Sequence, residues 1–251
     1  MRKNTLKEKL KRGEICSGAF LGFDCAATAS MMAWAGFDWV LLDAEHGHFS
    51  QDSLRSLLDS LKDSPATVLV RVGDDSVFQI KQALELGAEG VLVPMIMDRE
   101  QTEKVLEVML YSPKGNRSTG YSRSNGFGLD MDYWHRANDE LLTMMMIENV
   151  HSIEKIDDIL SVPGVDVAFV GPYDLAASMG LVGQASHPQV MDAIDTVIEA
   201  CHRHGVAPGM FCGGGLDQAR RMARKGMQML CFTTDYYIMA DESRRLGAIR
   251  F

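Results

Sequence analysis

A single α/β domain, a (β/α)8 barrel, is predicted by three features of this sequence. Short apolar runs alternate with longer segments of helical periodicity from one end of the chain to the other. The runs are apolar throughout, which is typical of parallel strands that are covered on both faces. No Pro/Ser-rich linker or abrupt change of composition divides the chain, and barrels routinely reach this length as one domain. We therefore predict one barrel domain over residues 1–251.

Eight runs qualify as strands, and each precedes a segment that could form a helix. In chain order they span residues 15–21, 39–43, 67–72, 90–95, 142–148, 166–170, 206–212 and 227–233. Eight consecutive strand–helix units close most simply into a barrel. An open doubly wound sheet is the alternative, but the residues from Gly18 and Gly22 onward do not form its G-x-G-x-x-G turn.

The segment of residues 112–135 departs from this alternation. It is long and rich in Gly and Ser for a connection between a helix and the next strand. Such a loop covers a site, joins a partner subunit or is mobile. The sequence leaves these three roles open.

Charge and composition argue against several classes of function. The net charge is −9, with no basic patch, which argues against nucleic-acid binding. No apolar run approaches the ~20 residues of a membrane helix, and none follows the basic N-terminal residues as in a secretory signal. The five cysteines are dispersed without C-x-x-C spacing. We expect a reduced, cytoplasmic protein that binds neither nucleic acid nor membranes.

Polar side chains gather at the ends of four predicted strands. In a barrel these ends meet at one mouth, where the chemistry of such folds takes place. The residues are Asp43, Glu45 and His46 at strand two, Arg71 at strand three, Glu148 at strand five and Asp174 after strand six. Their shared location indicates a functional site.

Glu148 and Asp174 are candidate metal ligands. They follow adjacent apolar strands, and their oxygens suit a hard cation such as Mg²⁺ or Mn²⁺, with water and substrate filling the other positions. In the structural alternative, Glu148 pairs with a buried arginine and Asp174 caps a helix that begins at Leu175. Spacing alone leaves both interpretations open, and Asp174 could serve in both.

His46 is a candidate general base because imidazole titrates near neutral pH. Asp43, three residues earlier, could orient the ring. A hydrogen-bonded structural histidine is an equally good interpretation. Because alternate residues of an extended strand share a face, a metal site formed by His46 and His48 also stays open, although the base role is favoured.

Arg71 ends an apolar strand, where an unpaired cation would be costly. It must therefore meet a carboxylate, a substrate anion or a developing enolate. The structural alternative is a permanent ion pair with Glu45 or Glu148.

Two glycine-containing turns could bind anions. Gly171-Pro172-Tyr173-Asp174 begins a predicted helix, where main-chain N–H groups offer a carboxylate site. The run from Cys212 to Gly215 follows strand seven, where barrels often bind phosphate. A flexible turn is favoured for this second segment.

These residues resemble the HpcH/HpaI aldolase/citrate lyase family, in particular its 4-hydroxy-2-oxoheptanedioate aldolase-like branch. The resemblance spans nearly the whole chain, and its most specific block runs from G-V-D at residues 164–166 through F-V-G-P-Y-D-L-A-A-S-M-G at residues 169–180. The other matching blocks are residues 10–14, 18–22, 37–46, 86–95, 113–118 and 146–148.

The resemblance implies a pyruvate-type (class II) aldolase and assigns roles to individual residues. Glu148 and Asp174 would bind a divalent metal (Mg²⁺, Mn²⁺ or Co²⁺), and pyruvate would chelate it with its carboxylate near Gly171, Pro172 and Tyr173. Arg71 would hold the keto or enolate oxygen, and His46, supported by Asp43, would move the proton. Glu85 would approach that histidine from a neighbouring subunit. The resemblance also implies a homohexamer, a trimer of dimers, that exchanges its last helix.

Three residues depart from the family pattern. Met146 stands where many relatives carry Gln, near the substrate and two residues before the metal-binding Glu. Ala44 replaces a Gly, and Glu85 replaces an Asp. Each change could alter the substrate or the rate, while the metal ligands and the base remain.

The implied reaction is the reversible cleavage of a 4-hydroxy-2-oxo acid to pyruvate, or a close 2-oxo acid, and an aldehyde. A Schiff-base aldolase would need a lysine inside the barrel, and every lysine falls outside the predicted strands. Two alternatives stay open. The same metal–enolate centre could decarboxylate oxaloacetate or cleave an acyl-CoA, or the barrel could be a catalytically weak metabolite-binding protein.

Overall fold

The chain folds into a closed barrel of eight parallel strands, which the computed structural model describes over residues 1–250. Neighbouring strands pair in sequence order, and β1 pairs with β8 to close the barrel. The strands are β1 (Cys16–Leu21), β2 (Trp39–Asp43), β3 (Thr67–Arg71), β4 (Gly90–Val93), β5 (Leu142–Ile147), β6 (Val167–Val170), β7 (Ala207–Phe211) and β8 (Met229–Thr234). The predicted barrel and all eight predicted strands are confirmed, with each strand end within two residues of its predicted position.

Helices surround the barrel, and several begin at the side-chain caps that helix starts favour. Ser50, Ser76 and Asp98 each accept a hydrogen bond from the main-chain N–H three residues on. No helix within residues 1–250 is long and apolar enough to cross a membrane. The helices are α1 (Thr5–Lys11), α2 (Ala26–Ala33), α3 (Gln51–Ser60), α4 (Val77–Glu85), α5 (Arg99–Met109), α6 (Tyr133–Glu140), α7 (Val150–Glu154), α8 (Ile156–Leu160), α9 (Pro172–Ser178), α10 (Pro188–His204), α11 (Gly215–Arg224) and α12 (Asp235–Gly247).

Side-chain alternation along each strand divides the core into two layers. One set packs against the surrounding helices, and the other fills the barrel interior, where Trp39, Leu41, Leu69 and Phe169 are fully buried. Asp43 continues the inward series of Trp39 and Leu41. Arg71 continues that of Leu69, and Glu148 that of Met144 and Met146. The strand pattern therefore directs these charged side chains into the mouth of the barrel.

Gly18 gives Trp39 the space that it needs inside the barrel. A Cβ atom at Gly18 would lie 2.0 Å from Cε2 of Trp39, and the indole ring is fully buried among other side chains. We expect Gly18→Ala to lower the free energy of unfolding by roughly 1–3 kcal/mol, the usual cost of overpacking a core. Urea denaturation measures this loss. Gly120→Ala, which has open space around its Cβ position, is the matched control; equal stability of the two variants would refute this account.

The irregular segment lies between α5 and β5, at the N-terminal end of the strands. It forms a 3₁₀ helix (Arg123–Gly128) and runs into α6. Nη2 of Arg123 donates a hydrogen bond to the Leu58 carbonyl at 2.9 Å, and its Nε pairs with Asp59. The segment is thus fastened beside α3, away from the mouth of its own barrel.

The last helix, α12, stands out because almost all of it is exposed. Only its first residue, Asp235, is buried, and the helix rests mainly against β1 and β8. Apolar side chains including Ile238, Met239 and Leu246 face solvent. This helix therefore presents apolar surface that its own barrel leaves uncovered.

Candidate active site

Arg71 is the central cation at the barrel mouth, and Asp43 holds it in a two-pronged ion pair. Nε of Arg71 lies 2.8 Å from Oδ1 of Asp43, and Nη2 lies 2.7 Å from Oδ2. Both side chains are almost completely buried. Burial opposes the charge on Arg71, but the hydrogen bond and charge of Asp43, together with the charges of Glu45 and Glu148, outweigh it and raise the pKa of the guanidinium. The structure thus provides the carboxylate partner that the buried arginine requires.

Glu45 is a second carboxylate beside Arg71. Its Oε2 lies 2.8 Å from Nη1 of Arg71, within ion-pair distance, but the angle does not make a hydrogen bond. Burial raises the pKa of Glu45 above its usual value, against the opposing effect of Arg71. The sequence places Glu45 in the polar cluster of the mouth but suggests no role for it beyond a pairing with Arg71. Its position directly before His46 is the signal that could have marked it as a residue of the site.

His46 extends toward solvent at the rim of the mouth, with 67% of its side chain exposed. The predicted contact between Asp43 and the His46 ring is not present among residues 1–250. Oδ1 of Asp43 instead accepts from the main-chain N–H of Glu45 and, at 3.3 Å, from that of His46. The carboxylate nearest the ring is Glu45, with Oε2 3.9 Å from Nε2 of His46. Asp43 therefore stabilises the turn that follows β2 and holds the Arg71 side chain in place.

Glu148 is a buried carboxylate at the end of β5, with only 2% of the residue exposed. Its Oε1 accepts a 2.7 Å hydrogen bond from the N–H of Met95, a residue with a positive φ of 53°. Burial raises the pKa of Glu148 to about 7, assisted by the charges of Glu45 and Asp174 and opposed by the Met95 N–H and the charge of Arg71. A bound cation would favour the ionised form of this side chain.

Asp174 lies in the first turn of α9, which begins at Pro172 with Gly171 as its N-cap. The alternative that Asp174 caps a helix beginning at Leu175 is therefore wrong. The carboxylate is exposed, and its charge helps to raise the pKa of both Glu148 and Glu45. The carboxylates of Glu45, Glu148 and Asp174 are therefore close enough for their charges to affect one another.

The donor set at the mouth fits a hydrated hard cation. Within residues 1–250, no three His, Cys, Asp or Glu side chains are grouped so that they could hold a metal ion. Mg²⁺ is commonly bound by one or two carboxylates and keeps several waters. Glu148, buried next to like charges, and Asp174 supply two such carboxylates.

The HpcH/HpaI aldolase/citrate lyase family model matches residues 17–240. The chain belongs to this family. A hydroxypyruvate/pyruvate aldolase of Roseobacter denitrificans is 34% identical over 248 residues, covering 98% of this chain and 96% of the relative. A 4-hydroxy-2-oxo-heptane-1,7-dioate aldolase of Klebsiella pneumoniae is 33% identical, covering 98% and 93%. The chain is accordingly an enzyme of the carbon–carbon lyase class.

Two solved structures share this fold over nearly the whole chain. A family protein from Burkholderia cenocepacia superposes with a TM-score of 0.94 at 30% identity and covers 98% of each chain. The citrate synthase SbnG superposes with a TM-score of 0.86 at 29% identity and covers 96% of each chain. The family resemblance read from the sequence is confirmed.

Met146, one of the departures from the HpcH/HpaI pattern, fills the space between Arg71 and Gly171. Its Sδ lies 3.7 Å from Nη1 of Arg71. A Cβ atom at Gly171 would lie 2.7 Å from Cε of Met146 and 2.6 Å from Oε2 of Glu148. The absence of a side chain at Gly171 therefore leaves room for the Glu148 side chain against the turn that follows β6.

The helix start at Gly171 offers fewer free donors than the sequence predicted. The Gly171 N–H already donates to the Ile147 carbonyl, and Pro172 has no N–H. The N–H groups of Tyr173 and Asp174 are the ones that the first turn leaves without intrahelical partners. The Tyr173 hydroxyl lies over Gly213, 2.1 Å from where a Cβ atom would stand.

Glu85 is not brought to the mouth of its own barrel. It is the last residue of α4, and a helix that follows a barrel strand ends at the N-terminal side. Its Oε1 accepts a 3.0 Å hydrogen bond from Nη2 of Arg117, whose side chain is 2% exposed and lies over the Tyr111 ring. Nε and Nη1 of Arg117 have no hydrogen-bond partner among residues 1–250.

Proposed function

We propose that this protein is a metal-dependent aldolase that reversibly cleaves a 4-hydroxy-2-oxo acid to pyruvate and an aldehyde. The observation that carries the proposal is that one barrel mouth holds both a buried guanidinium, Arg71, and a buried carboxylate, Glu148, which lies near other carboxylates. Relatives named as aldolases of this kind, 33% to 34% identical over nearly the whole chain, support it.

Glu148 and Asp174 would hold a divalent cation, Mg²⁺, Mn²⁺ or Co²⁺. When bound, the cation supplies a Lewis acid beside the oxygen atoms of the 2-oxo acid. The carboxylates would supply the negative charge that the cation requires, and the cation in turn would offset the burial and the repulsion that raise the pKa of Glu148. The N–H groups of Tyr173 and Asp174 can receive the substrate carboxylate at the start of α9.

Arg71 stabilises the negative charge that develops on the 2-oxo oxygen as the C3–C4 bond breaks. A fixed charge in a site shielded from water contributes more than the same charge in solvent, and it needs no reorganisation during the reaction. The two hydrogen bonds from Arg71 to Asp43 hold the guanidinium in this fixed position. Met146 packs beside the same guanidinium and excludes water from it.

His46 transfers the protons. In the cleavage direction it accepts the proton of the 4-hydroxyl group, the aldehyde leaves, and a proton returns to C3 to give pyruvate. Exposure lets the ring reach a substrate at the rim, and Glu45 is the neighbouring carboxylate that can stabilise the protonated imidazole.

A lysine-based imine mechanism does not fit the positions of the lysines. Within residues 1–250, no strand and no segment between a strand and its following helix contains lysine. Lys7, the most buried lysine, bonds to the Leu141 carbonyl and to Asp166 at the N-terminal end of the barrel. The site chemistry is therefore that of the carboxylate cluster and Arg71.

Exchange of the C3 protons of pyruvate tests the proposal. The chain is stripped of metal and then restored with Mg²⁺, Mn²⁺ or Co²⁺ in deuterated buffer, and NMR follows the methyl signal. We expect exchange that requires the metal. No exchange with any of the three ions would instead support a metabolite-binding barrel.

Oxaloacetate decarboxylation is the second candidate, because that reaction also forms a pyruvate enolate, which the buried Arg71 at the mouth could stabilise. The same cluster could stabilise the enolate of pyruvate after loss of CO₂. Release of pyruvate from oxaloacetate at a higher kcat/KM than from any 4-hydroxy-2-oxo acid would establish this candidate.

His46→Ala is expected to slow C3 proton exchange by roughly 10²-fold, a typical contribution of general acid–base catalysis. Because His46 lies at the rim, apparent affinity for pyruvate should change far less than the exchange rate. His48→Ala, which removes the neighbouring exposed ring, is the control. Equal losses of affinity and rate in His46→Ala would make His46 a binding residue.

We propose a homo-oligomer, a hexamer built as a trimer of dimers, with α12 exchanged between subunits. The exposed apolar side chains of α12 support an exchanged helix, because a lone chain leaves them uncovered. Multi-angle light scattering should give the mass of six chains. A mass of one chain at micromolar concentration would contradict the exchange.

A further inference from the structure

Met95, which follows β4 at the mouth of the barrel, has a backbone conformation that is unusual for its residue type. Its φ is 53°, in the left-handed region, where a Cβ atom crowds the main chain. Within residues 1–250, Phe127 is the only other residue apart from glycine with a positive φ. Such a conformation costs free energy and is concentrated at functional sites. The contacts of Met95 therefore indicate what its conformation does.

The bend at Met95 turns two consecutive N–H groups toward the same neighbouring strand. The Met95 N–H donates to Oε1 of Glu148 at 2.7 Å, and the Ile96 N–H donates to the Met146 carbonyl at 3.3 Å. Met146 lies in β5, and Glu148 directly follows this strand. In an extended strand, consecutive N–H groups point to opposite sides. The left-handed conformation is therefore what allows Met95 to reach the Glu148 carboxylate while Ile96 stays bonded to β5.

The hydrogen bond from Met95 leaves one oxygen of Glu148 for other partners. Oε2 accepts no hydrogen bond from residues 1–250. It lies 2.6 Å from the point where a Cβ atom of Gly171 would stand, and Gly171 is the N-cap of α9, whose first turn contains Asp174. The Met95 main chain thus holds one oxygen of Glu148, and the other oxygen faces the turn that carries the second proposed ligand.

We infer that Met95 is a positioning residue, whose left-handed main chain directs Oε2 of Glu148 toward the metal site. The inference rests on the proposed metal-dependent function and names a residue that prepares the site for the cation. Without this N–H, the carboxylate could rotate and present either oxygen. Loss of a hydrogen bond that orients a metal ligand typically weakens metal binding about 10- to 100-fold. The Met95 side chain is 45% exposed and has no part in this contact.

Substitutions that differ in how well they tolerate a positive φ test the inference. Glycine adopts this region freely, leucine tolerates it as methionine does, and a β-branched residue is strongly disfavoured there. We expect Met95→Val to weaken Mn²⁺ binding by at least about tenfold. Met95→Gly and Met95→Leu should bind Mn²⁺ within about threefold of wild type, because both can keep the bend. The EPR signal of free Mn²⁺ gives the affinity without any measurement of activity. Wild-type affinity in Met95→Val, or an equal loss in Met95→Gly, would overturn the inference.

Phe127→Val is the matched control, because it places the same β-branched side chain at the other positive φ, which is 59°. Phe127 lies in the 3₁₀ helix that is fastened beside α3, away from the mouth of its own barrel. Both valine variants should unfold at a lower urea concentration than wild type, but only Met95→Val should lose affinity for Mn²⁺. The same loss of affinity in both variants would mean that backbone strain acts generally, and the role of Met95 would fall.

Hydrogen exchange in the wild-type enzyme tests the same contact without a substitution, and it decides the question if Met95→Val does not fold. A cation at Glu148 would hold the carboxylate in place. The exchange of the Met95 amide proton should therefore slow by at least about tenfold when Mg²⁺ is added. Mass spectrometry with electron-transfer fragmentation resolves this amide, since Pro94 before it has none. Unchanged exchange at saturating Mg²⁺ would overturn the inference.

Mn²⁺ binding to the wild-type chain separates failure of this inference from failure of the proposed function. Only binding that Glu148→Gln removes counts as binding at this site. If wild type shows such binding and Met95→Val binds equally well, the metal site stands and the role of Met95 falls. If wild type shows none, the metal-dependent function and this inference both fall.

Discussion

Glu148→Gln is expected to abolish metal-dependent turnover and to leave the barrel folded. The amide keeps the size of the side chain and can still accept the hydrogen bond from the Met95 N–H. The amide lacks the charge that a hard cation requires. We therefore expect kcat/KM to fall by at least about 10³-fold, because the electrostatic stabilisation of the transition state by the metal would be lost. Steady-state kinetics with Mg²⁺, Mn²⁺ and Co²⁺ measure the loss.

Stability distinguishes a lost ligand from a damaged fold in this variant. Because wild-type Glu148 is buried beside Glu45 and Asp174, removing its charge should not lower the free energy of unfolding of the metal-free chain. Asp75→Asn is the matched control, since Asp75 is an acid of the mouth that contacts the Gln101 side chain. Full activity of Glu148→Gln, or inactivity of Asp75→Asn, would refute the assignment.

Gly171→Ala tests the same site without touching a charge. Its methyl group would fall 2.6 Å from Oε2 of Glu148 and 2.7 Å from Cε of Met146, so the carboxylate must move. We expect weaker metal binding in a titration monitored by activity. A normal metal affinity would mean that the position of this carboxylate is unimportant.

The barrel could be predicted from sequence because its signals are local. Each strand is an apolar run of the right length, and the inward direction of Asp43, Arg71 and Glu148 follows from the two-residue repeat of strands. The convergence of these residues on one mouth then follows from the parallel topology.

The partners within the site could not be predicted, because they depend on distances between segments. Asp43 lies three residues before His46, yet it binds Arg71, because the register of β2 and β3 places Asp43 opposite Arg71. The buried guanidinium is a far better partner for a carboxylate than an exposed ring. Spacing along the sequence favours His46, the nearer residue, and does not show that Asp43 binds Arg71 instead.

The start of α9 and the position of Glu85 also could not be predicted from the sequence pattern. The sequence pattern suggested a cap at Asp174, but Pro172 is favourable at the first helical position, so the helix begins three residues earlier than that cap requires. Glu85 lies at the far end of α4, where Arg117 holds it. A role at a catalytic centre would therefore require another subunit's mouth.

Arg71→Lys is the second variant with a large expected effect. A lysine keeps the positive charge but is a compact ammonium, so it cannot reproduce the fork to Asp43 while also approaching Glu45. We expect kcat to fall by roughly 10²–10³-fold, as when one oxyanion donor is removed, with a smaller change in the KM for the 2-oxo acid.

The same substitution should also cost stability, because Asp43 keeps its burial but loses one of the two hydrogen bonds that Arg71 donates to it. Breaking a buried pair outright costs roughly 3–5 kcal/mol, and a retained ammonium offsets part of that. Urea denaturation reports the stability, and C3 exchange reports the chemistry. Arg55→Lys, in an exposed pair with Asp52, is the control and should change neither. A kcat close to wild type in Arg71→Lys would show that a point charge suffices and that the geometry of the fork has no catalytic role.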